Sequence, residues 1–440
     1  MNSINSDPLF GQNFVCDCGK SHCIYPRKVV YSEDIIAHLP ELAVQFNCGN
    51  RLAVLADIRT REVAGAEVAA ALSAEGYDVT SVLVEDREDG GWPICDDITK
   101  DKLERQIGDV DWMLSVGGGV LTDLGKWLAF DRDIPLMVFA TAVSMNGYPS
   151  ANTAPTIEGM KRSGYARAPI VVVSRPSVLC AAPYELTMAG LGDVVAKTTS
   201  TTDWYLNHLL FGDYFCEKAA KLIDEIEPFY LNDPEGLKSR NPESVETLFH
   251  ALLLTGVAMN MAGTTAPASG AEHLVSHALD MMSSIDGAPH DLHGRQVGVG
   301  TILAAEVYRH VLSVESPTFR EPSEKVDVDI WGPLGSFVME NYTQKLQRLR
   351  IAKEKLSKAD AWDNLRQQLS SMVQQPEVLR DCLVRAGAAA KAEHIRCSQN
   401  RLLEVFRNAH AIRPRVTVLD LAQLIGIMPS TADEIVDAWA

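Results

Sequence analysis

Short β-rich runs alternate with helical stretches through the first part of this chain, and beyond Pro183 the β signal stops. That change of pattern constrains the fold more than any other feature. Strands alternating with helices imply a parallel sheet covered on both faces, whereas a long succession of 3.6-residue periodicities implies a helical domain. Residues 51–56 (RLAVLA) read as a strand ended by Asp57, 63–75 as an alanine-rich helix and 80–84 as a second strand. The run 111–116 (DWMLSV) stops at Gly117, Gly118 and Gly119; helical spacing resumes over 121–130, and 134–140 is a further buried strand. A hairpin around Glu158 and Gly159 is expected before the strand 170–173. Helical patterns then cover 186–210, 244–262, 272–282, 298–311, 342–356 and 359–372, with a helical tail from 400 to 440 broken at Arg413 and Pro414. The expectation is an α/β nucleotide-binding domain over 1–188 and an all-helical, metal- and substrate-binding domain over 189–440.

A chain of 440 residues is also too long for one ordinary core. Its formal net charge of -18 argues against nucleic acid or an anionic membrane as partner, because the long-range field repels phosphate backbones. A small phosphorylated ligand needs only a few local cations or a helix N-terminus. No stretch reaches the roughly 18 uncharged apolar residues of a membrane span, and the start MNSINSDPLFGQ lacks the pattern of a signal peptide. Nine cysteines at scattered spacings read as reduced thiols. The expected location is the cytoplasm. One cluster stands apart, CDCGKSHC over 16–23, but no second ligand pair follows it, and it reads as an N-terminal ribbon with incidental thiols.

Two places carry chemistry. A strand that ends in three glycines and feeds a helix suits a pyrophosphate: the backbone approaches closely and the first helical N–H groups supply positive potential. Asp123 and Lys126 stand on the first turns of that helix. The loop is neither the G-x-G-x-x-G fingerprint nor a Walker loop, and a tight turn is the alternative. Asp57 either hydrogen-bonds an adenosine ribose, which favours NAD over NADP, or merely ends its strand. The second place is the set Asp193, His273, His277, His290 and His293. A carboxylate with two imidazoles leaves open positions on a divalent ion for a substrate oxygen. His273 and His277, four apart, share a helix face and also fit a His–His chelate.

Taken in order, GGG-x-x-x-D-x-G-K, then G-D-x-x-A-K through D-W (Gly192 to Trp204), then P-A-S-G-x-E-H-x-x-S-H (Pro267 to His277), then H-G-x-Q-V-G-V-G-T (His293 to Thr301) resemble the glycerol-1-phosphate dehydrogenase family. That family belongs with the metal-dependent polyol dehydrogenases and dehydroquinate synthases, so the resemblance implies a Rossmann-like sheet domain followed by helices. It covers the chain from the C-x-C-G segment to about residue 310. It implies Asp193, His273 and His293 as ligands of zinc or nickel, with His277 behind them. It also implies NAD or NADP over Gly117, Gly118, Gly119 and Asp123, with Thr141 and Ser144 at the inner end. Family members interconvert dihydroxyacetone phosphate and sn-glycerol 1-phosphate, commonly as homodimers. Lys197 and Lys126 are candidates for substrate phosphate or charge stabilisation, with an exposed helix lysine the alternative for Lys197.

Three positions depart from the family pattern: Asn146 replaces an aspartate, Ala266 an arginine and Arg295 a glutamate. Asparagine cannot accept a proton as a carboxylate can, so Asn146, a candidate catalytic residue, points to a related but different polyol or polyol phosphate, with ordinary drift and compensation the alternative. Two rival readings are a sugar-phosphate cyclase of the dehydroquinate synthase type and a catalytically silent binding protein. The cyclases generally carry glutamate at the position of Asp193, and a silent protein has no use for three ligands.

Overall fold

The computed structural model describes residues 4–88, 90–157, 160–161 and 164–440; Glu158 and Gly159, the expected centre of the inserted hairpin, lie outside them. The strands are β1 (Asn13–Val15), β2 (Ser21–Cys23), β3 (Lys28–Tyr31), β4 (Arg51–Asp57), β5 (Asp78–Val84), β6 (Trp112–Gly117), β7 (Leu136–Ala140), β8 (Asn152–Thr153), β9 (Thr156–Ile157), β10 (Met160–Lys161), β11 (Gly164–Tyr165) and β12 (Val171–Ser174). Six of them form one sheet in the order β3-β12-β7-β6-β4-β5, and every neighbouring pair is parallel. β6, β7 and β12 are buried along their whole length. Their near-continuous apolar sequences therefore belong to a sheet covered on both faces. The edge strand β5 instead mixes buried with exposed positions.

The helices Ile35–Gln45 and Ala66–Ala74 cover one face. Ile35, Leu39, Leu42, Val68 and Leu72 interlock there with Leu52, Val54, Leu114 and Phe139. Each such side chain withdrawn from water contributes roughly 1.5–3 kcal/mol before the entropy of ordering it. The chain passes from β4 to the edge at β5, then to β6 on the other side of β4. Open parallel sheets bind ligands at the carboxyl ends of the strands beside such a reversal, and Asp57 and the three glycines stand at those ends of β4 and β6.

Sequence periodicity leaves out β3 and the helix Ile35–Gln45. β3 is four residues long and at an edge, and the helix holds Pro40 in its interior. Its buried apolar face, Ile35, Ile36, Leu39, Leu42 and Ala43, outweighs that interruption. The expected helix over 186–210 is two helices, Tyr184–Val195 and Lys197–Phe211. Before β12 the chain makes nested antiparallel pairs, β8 with β11 and β9 with β10.

The chain divides into two compact units. The first comprises Met1–Gly190, Leu222–Phe229 and Gly236–Thr264; the second comprises Leu191–Lys221, Tyr230–Glu235 and Thr265–Ala440. The helix Pro242–Ala262 thus belongs with the sheet. Its Phe249 ring lies 6.2 Å from that of Tyr31 and 6.0 Å from that of Tyr148, and Asn260 Oδ1 accepts a hydrogen bond from the Ala151 N–H at 2.7 Å. Contrary to the sequence expectation, this helix is long and apolar enough by composition to cross a membrane. Its apolar window is 89% buried against protein, as a core helix is.

Candidate metal centre and nucleotide loop

Asp193, His273 and His293 each offer a ligand atom, and these atoms lie within 4.8 Å of one another. Asp193 is near the C-terminal end of the helix Tyr184–Val195, His273 in the first turn of Ala271–Asp286, and His293 at the start of His293–Ser313. Helix backbones must approach closely to bring such short side chains together. Two glycines allow it. A Cβ on Gly192 would stand 2.0 Å from the Gly294 carbonyl oxygen, and one on Gly300 would stand 2.6 Å from that of Glu272. Neither obstacle is a flexible side chain, so the backbone itself would have to shift. Gly192→Ala should therefore weaken metal affinity about tenfold, since overpacking costs about 1–3 kcal/mol, although it removes no ligand. A chelator competition that gives wild-type affinity would refute this account of the helix crossing.

The ring orientations are fixed from behind. Glu272 Oε1 lies 2.9 Å from His273 Nδ1, while its carboxylate accepts from the Gly270 N–H at 2.6 Å and the Thr199 hydroxyl at 2.7 Å. The carboxylate thus accepts from the Nδ1–H, and Nε2 lies 3.4 Å from Asp193 Oδ1. Ser276 Oγ stands 3.0 Å from His293 Nδ1 and holds the second ring in the same manner. Partners of this kind set the tautomer of metal-ligating histidines. Burial pulls the His273 pKa down, but Asp193 and Glu272 more than offset it and hold it at about 9. Two carboxylates facing one imidazole make a site that demands a cation.

Asp203 anchors the start of the His273 helix. Fully buried, it accepts from the Ala271 N–H at 2.8 Å, the Val418 N–H at 2.8 Å and the Tyr308 hydroxyl at 2.6 Å. Burial, and then the charge of Glu272, push its pKa up to about 7. His277 stands beside the group, its ring 6.2 Å from that of His273 and 5.4 Å from that of His293. His290 has an exposed side chain near Asp280, away from the cluster. Glu272, Ser276 and Asp203 hold this cluster in place, and none of the three stands out in the sequence. The signal for the first was its adjacency to His273, and for the second the S-H pair that ends the same motif.

In the first unit, β6 ends at Gly117 and the helix Gly119–Asp131 begins two residues later, with Gly118 as its N-cap. Gly118 has no side chain to cap the first N–H groups. A Cβ there would meet Ser144 Oγ at 3.6 Å, and one on Gly119 would meet Met145 Sδ at 3.3 Å, so Ser144 borders the loop. The Thr141 N–H lies 3.4 Å from the Gly117 carbonyl. Asp57 caps the turn after β4, with Oδ1 accepting from the Thr60 N–H at 2.8 Å and Oδ2 lying 3.3 Å from Arg59 Nη2. Arg59 also binds Asp86 at 2.5 Å and lies over the Trp92 ring.

Both lysines are buried. Lys126 is fully buried, and its ammonium donates to the Gly147 and Asn152 carbonyls at 2.9 and 2.7 Å while pairing with Asp123 at 2.8 Å. Asp123 Oδ2 in turn accepts from the Ala154 N–H at 3.2 Å. This pair pins the inserted hairpin to the glycine-loop helix, which leaves Lys126 no proton to offer a phosphate. Lys197 is not an exposed helix lysine either; it is 4% exposed, with Nζ 3.4 Å from the Ala219 carbonyl. Asn146 is buried, its carbonyl packed where a Cβ on Gly256 would approach to 2.4 Å. Ala266 is buried in a single 3-10 turn. Arg295 is committed to Asp291 at 2.7 Å and to the His394 carbonyl.

A sequence model of iron-containing alcohol dehydrogenases matches residues 30–183. A glycerol-1-phosphate dehydrogenase (NAD(P)+) from Thermococcus sibiricus is 35% identical over 288 residues, covering 66% of this chain and 79% of the relative. The enzyme of that name from Bacillus licheniformis is 30% identical over 304 residues, covering 68% and 74%. A probable glycerol dehydrogenase from Sinorhizobium meliloti 1021 has the same fold, with a TM-score of 0.59 at 15% identity over 93% of this chain and 98% of its own. Sequence motifs, sheet order and the clustered ligand set agree with these likenesses, and the chain belongs to the glycerol-1-phosphate dehydrogenase family.

Proposed function

We propose that the protein interconverts dihydroxyacetone phosphate and sn-glycerol 1-phosphate, or a closely related polyol phosphate, as an NAD(P)-linked, metal-dependent oxidoreductase. The observation that carries this reading is the convergence of Asp193, His273 and His293 with their rings held by Glu272 and Ser276. If bound there, a divalent ion, zinc or nickel by the family resemblance, would supply Lewis acidity to a hydroxyl or carbonyl oxygen, and a nicotinamide would exchange the hydride.

The chain's own groups do the rest. Asp193 brings one negative charge, and the carboxylate of Glu272 keeps the Nε2 lone pair of His273 turned inward. Asn146 cannot carry a proton, so in this reading the hydroxyl proton passes to His277, which is 9% exposed. Gly118 and Gly119 leave room for the pyrophosphate, and the N–H groups of the helix Gly119–Asp131 face it. Thr141 and Ser144 border the inner end, and Asp123 acts indirectly by holding the hairpin. Asp57 takes the ribose hydroxyls while Arg59 beside it offers a cation to a 2′-phosphate, so both NAD and NADP are accepted. Lys197 contributes charge from within the helical unit. A homodimer in the cytoplasm completes the proposal.

The test is a panel of polyols, glycerol phosphates and dihydroxyacetone phosphate with NAD(H) and NADP(H) in metal-replete buffer, read by nicotinamide absorbance. Phosphate release without net redox would replace this reading with the cyclase. A protein that binds neither divalent metal nor nicotinamide would replace it with the silent one.

A further inference from the structure

The segment CDCGKSHC, set aside above as a ribbon with incidental thiols, has a geometry that the sequence does not suggest. β1 and β2 form an antiparallel hairpin that pairs Phe14 with His22 and Val15 with Ser21. The turn between them is closed by Cys16 N–H to the Lys20 carbonyl and Gly19 N–H to the Cys16 carbonyl, both at 2.9 Å. Gly19 has φ +85, a left-handed value that suits glycine, so the turn can wrap tightly around its two cysteines. Cys16 Sγ, Cys18 Sγ and a His22 ring nitrogen lie within 4.8 Å of one another. Cys18 Sγ is 3.3 Å from His22 Nε2. Tetrahedral zinc, with Zn–S about 2.3 Å and Zn–N about 2.0 Å, sets such a pair about 3.5 Å apart. Cys23, next in sequence, is exposed and lies 3.4 Å from the Arg27 guanidinium instead.

The hairpin itself buries little. Each strand has three residues, and His22 is the only buried residue in either. Two-stranded ribbons of this size are marginal in water. Small ribbons that bury little apolar surface are commonly held by a metal.

We propose that Cys16, Cys18 and His22 bind a zinc ion that pins the N-terminal hairpin, separate from the ion at Asp193, His273 and His293. Two thiolates and one imidazole fill three of zinc's four places, and soft sulfur ligands select zinc over magnesium or calcium. On binding, two thiols lose their protons to solvent and two zinc–sulfur bonds form, with no change of oxidation state.

Cobalt substitution of the full-length protein tests this, because the Asp-His-His centre holds no sulfur. Cobalt-loaded wild type should show a thiolate-to-cobalt charge-transfer band from at least two sulfurs, and zinc should abolish it. Cys16→Ser/Cys18→Ser should lose the band and one metal equivalent per chain, while dehydrogenase turnover stays within about twofold. A measurement on the wild type alone guards against misfolding of that variant. Zinc should shield Cys16 and Cys18 from a thiol reagent, mapped by peptide mass, and a chelator should expose them. No charge-transfer band, or equal labelling with and without zinc, would overturn the proposal and leave a hydrogen-bonded Cys18–His22 pair.

Discussion

His273→Ala should cut turnover about a thousandfold or more while leaving the circular dichroism spectrum unchanged. A ligated ion contributes several kcal/mol to the stabilisation of developing charge on oxygen, and each 1.36 kcal/mol is a factor of about ten in rate. Alanine removes the ligand at the centre of the group and also strands two carboxylates, Asp193 and Glu272, that now face each other without a cation. Metal analysis should show the loss of the ion from this centre. A second readout concerns protons. In metal-free protein His273 has a pKa of about 9, raised above its ordinary 6.5. Its proton therefore stabilises the folded state fully below about pH 6.5, and that contribution is lost as the pH rises to about 9. A metal replaces that proton. Metal-stripped wild type should lose stability across this window, and both metal-loaded wild type and His273→Ala should not. Full turnover in His273→Ala would end the metal-centre assignment.

Asp203→Ala should have the largest effect on stability, about 3 kcal/mol or more, read from the midpoint of denaturant unfolding. One carboxylate serves three donors in a fully buried place, the Ala271 and Val418 amides and the Tyr308 hydroxyl. Each donor left unsatisfied costs about 1–3 kcal/mol. Asp203→Asn keeps one acceptor oxygen and should recover part of the loss. Its pH profile separates charge from hydrogen bonding. The Asp203 pKa is raised from 3.8 to about 7, so ionisation costs the folded state and wild type loses stability as the pH rises between those values. Asp203→Asn should lack that slope. An unfolding midpoint for Asp203→Ala equal to that of wild type would show that these donors find other partners.

Much of this was legible before the structure, for identifiable reasons. β4, β6 and β7 are continuous apolar runs because their strands are buried on both faces, and such runs need no partner to be read. Three glycines after β6, and the candidate set Asp193, His273 and His293, can be read in sequence because each proposed role calls for a particular residue type. A residue whose role depends on a distant partner carries no such mark in the sequence. Lys126 looks like a phosphate ligand on a first helical turn until the Gly147 and Asn152 carbonyls are seen to take its protons. Arg59 carries no motif, and its meaning comes only from standing against Asp57 and Asp86. Gly192 and Gly300 read as ordinary helical glycines, yet they are where backbones meet. β3 carries no such signal, because its four edge residues pair with β12, whose sequence lies far along the chain.

That the first unit is assembled from three separate stretches has a consequence for how the protein is made. Its last stretch ends at Thr264 and carries Phe249 and Asn260, which contact Tyr31, Tyr148 and Ala151. A nascent chain emerging from the ribosome therefore holds a sheet with an uncovered flank until well after Asp193 has been synthesised. Cutting the gene after residue 190 would not isolate the first unit, because the unit's own core helix is encoded downstream of Asp193.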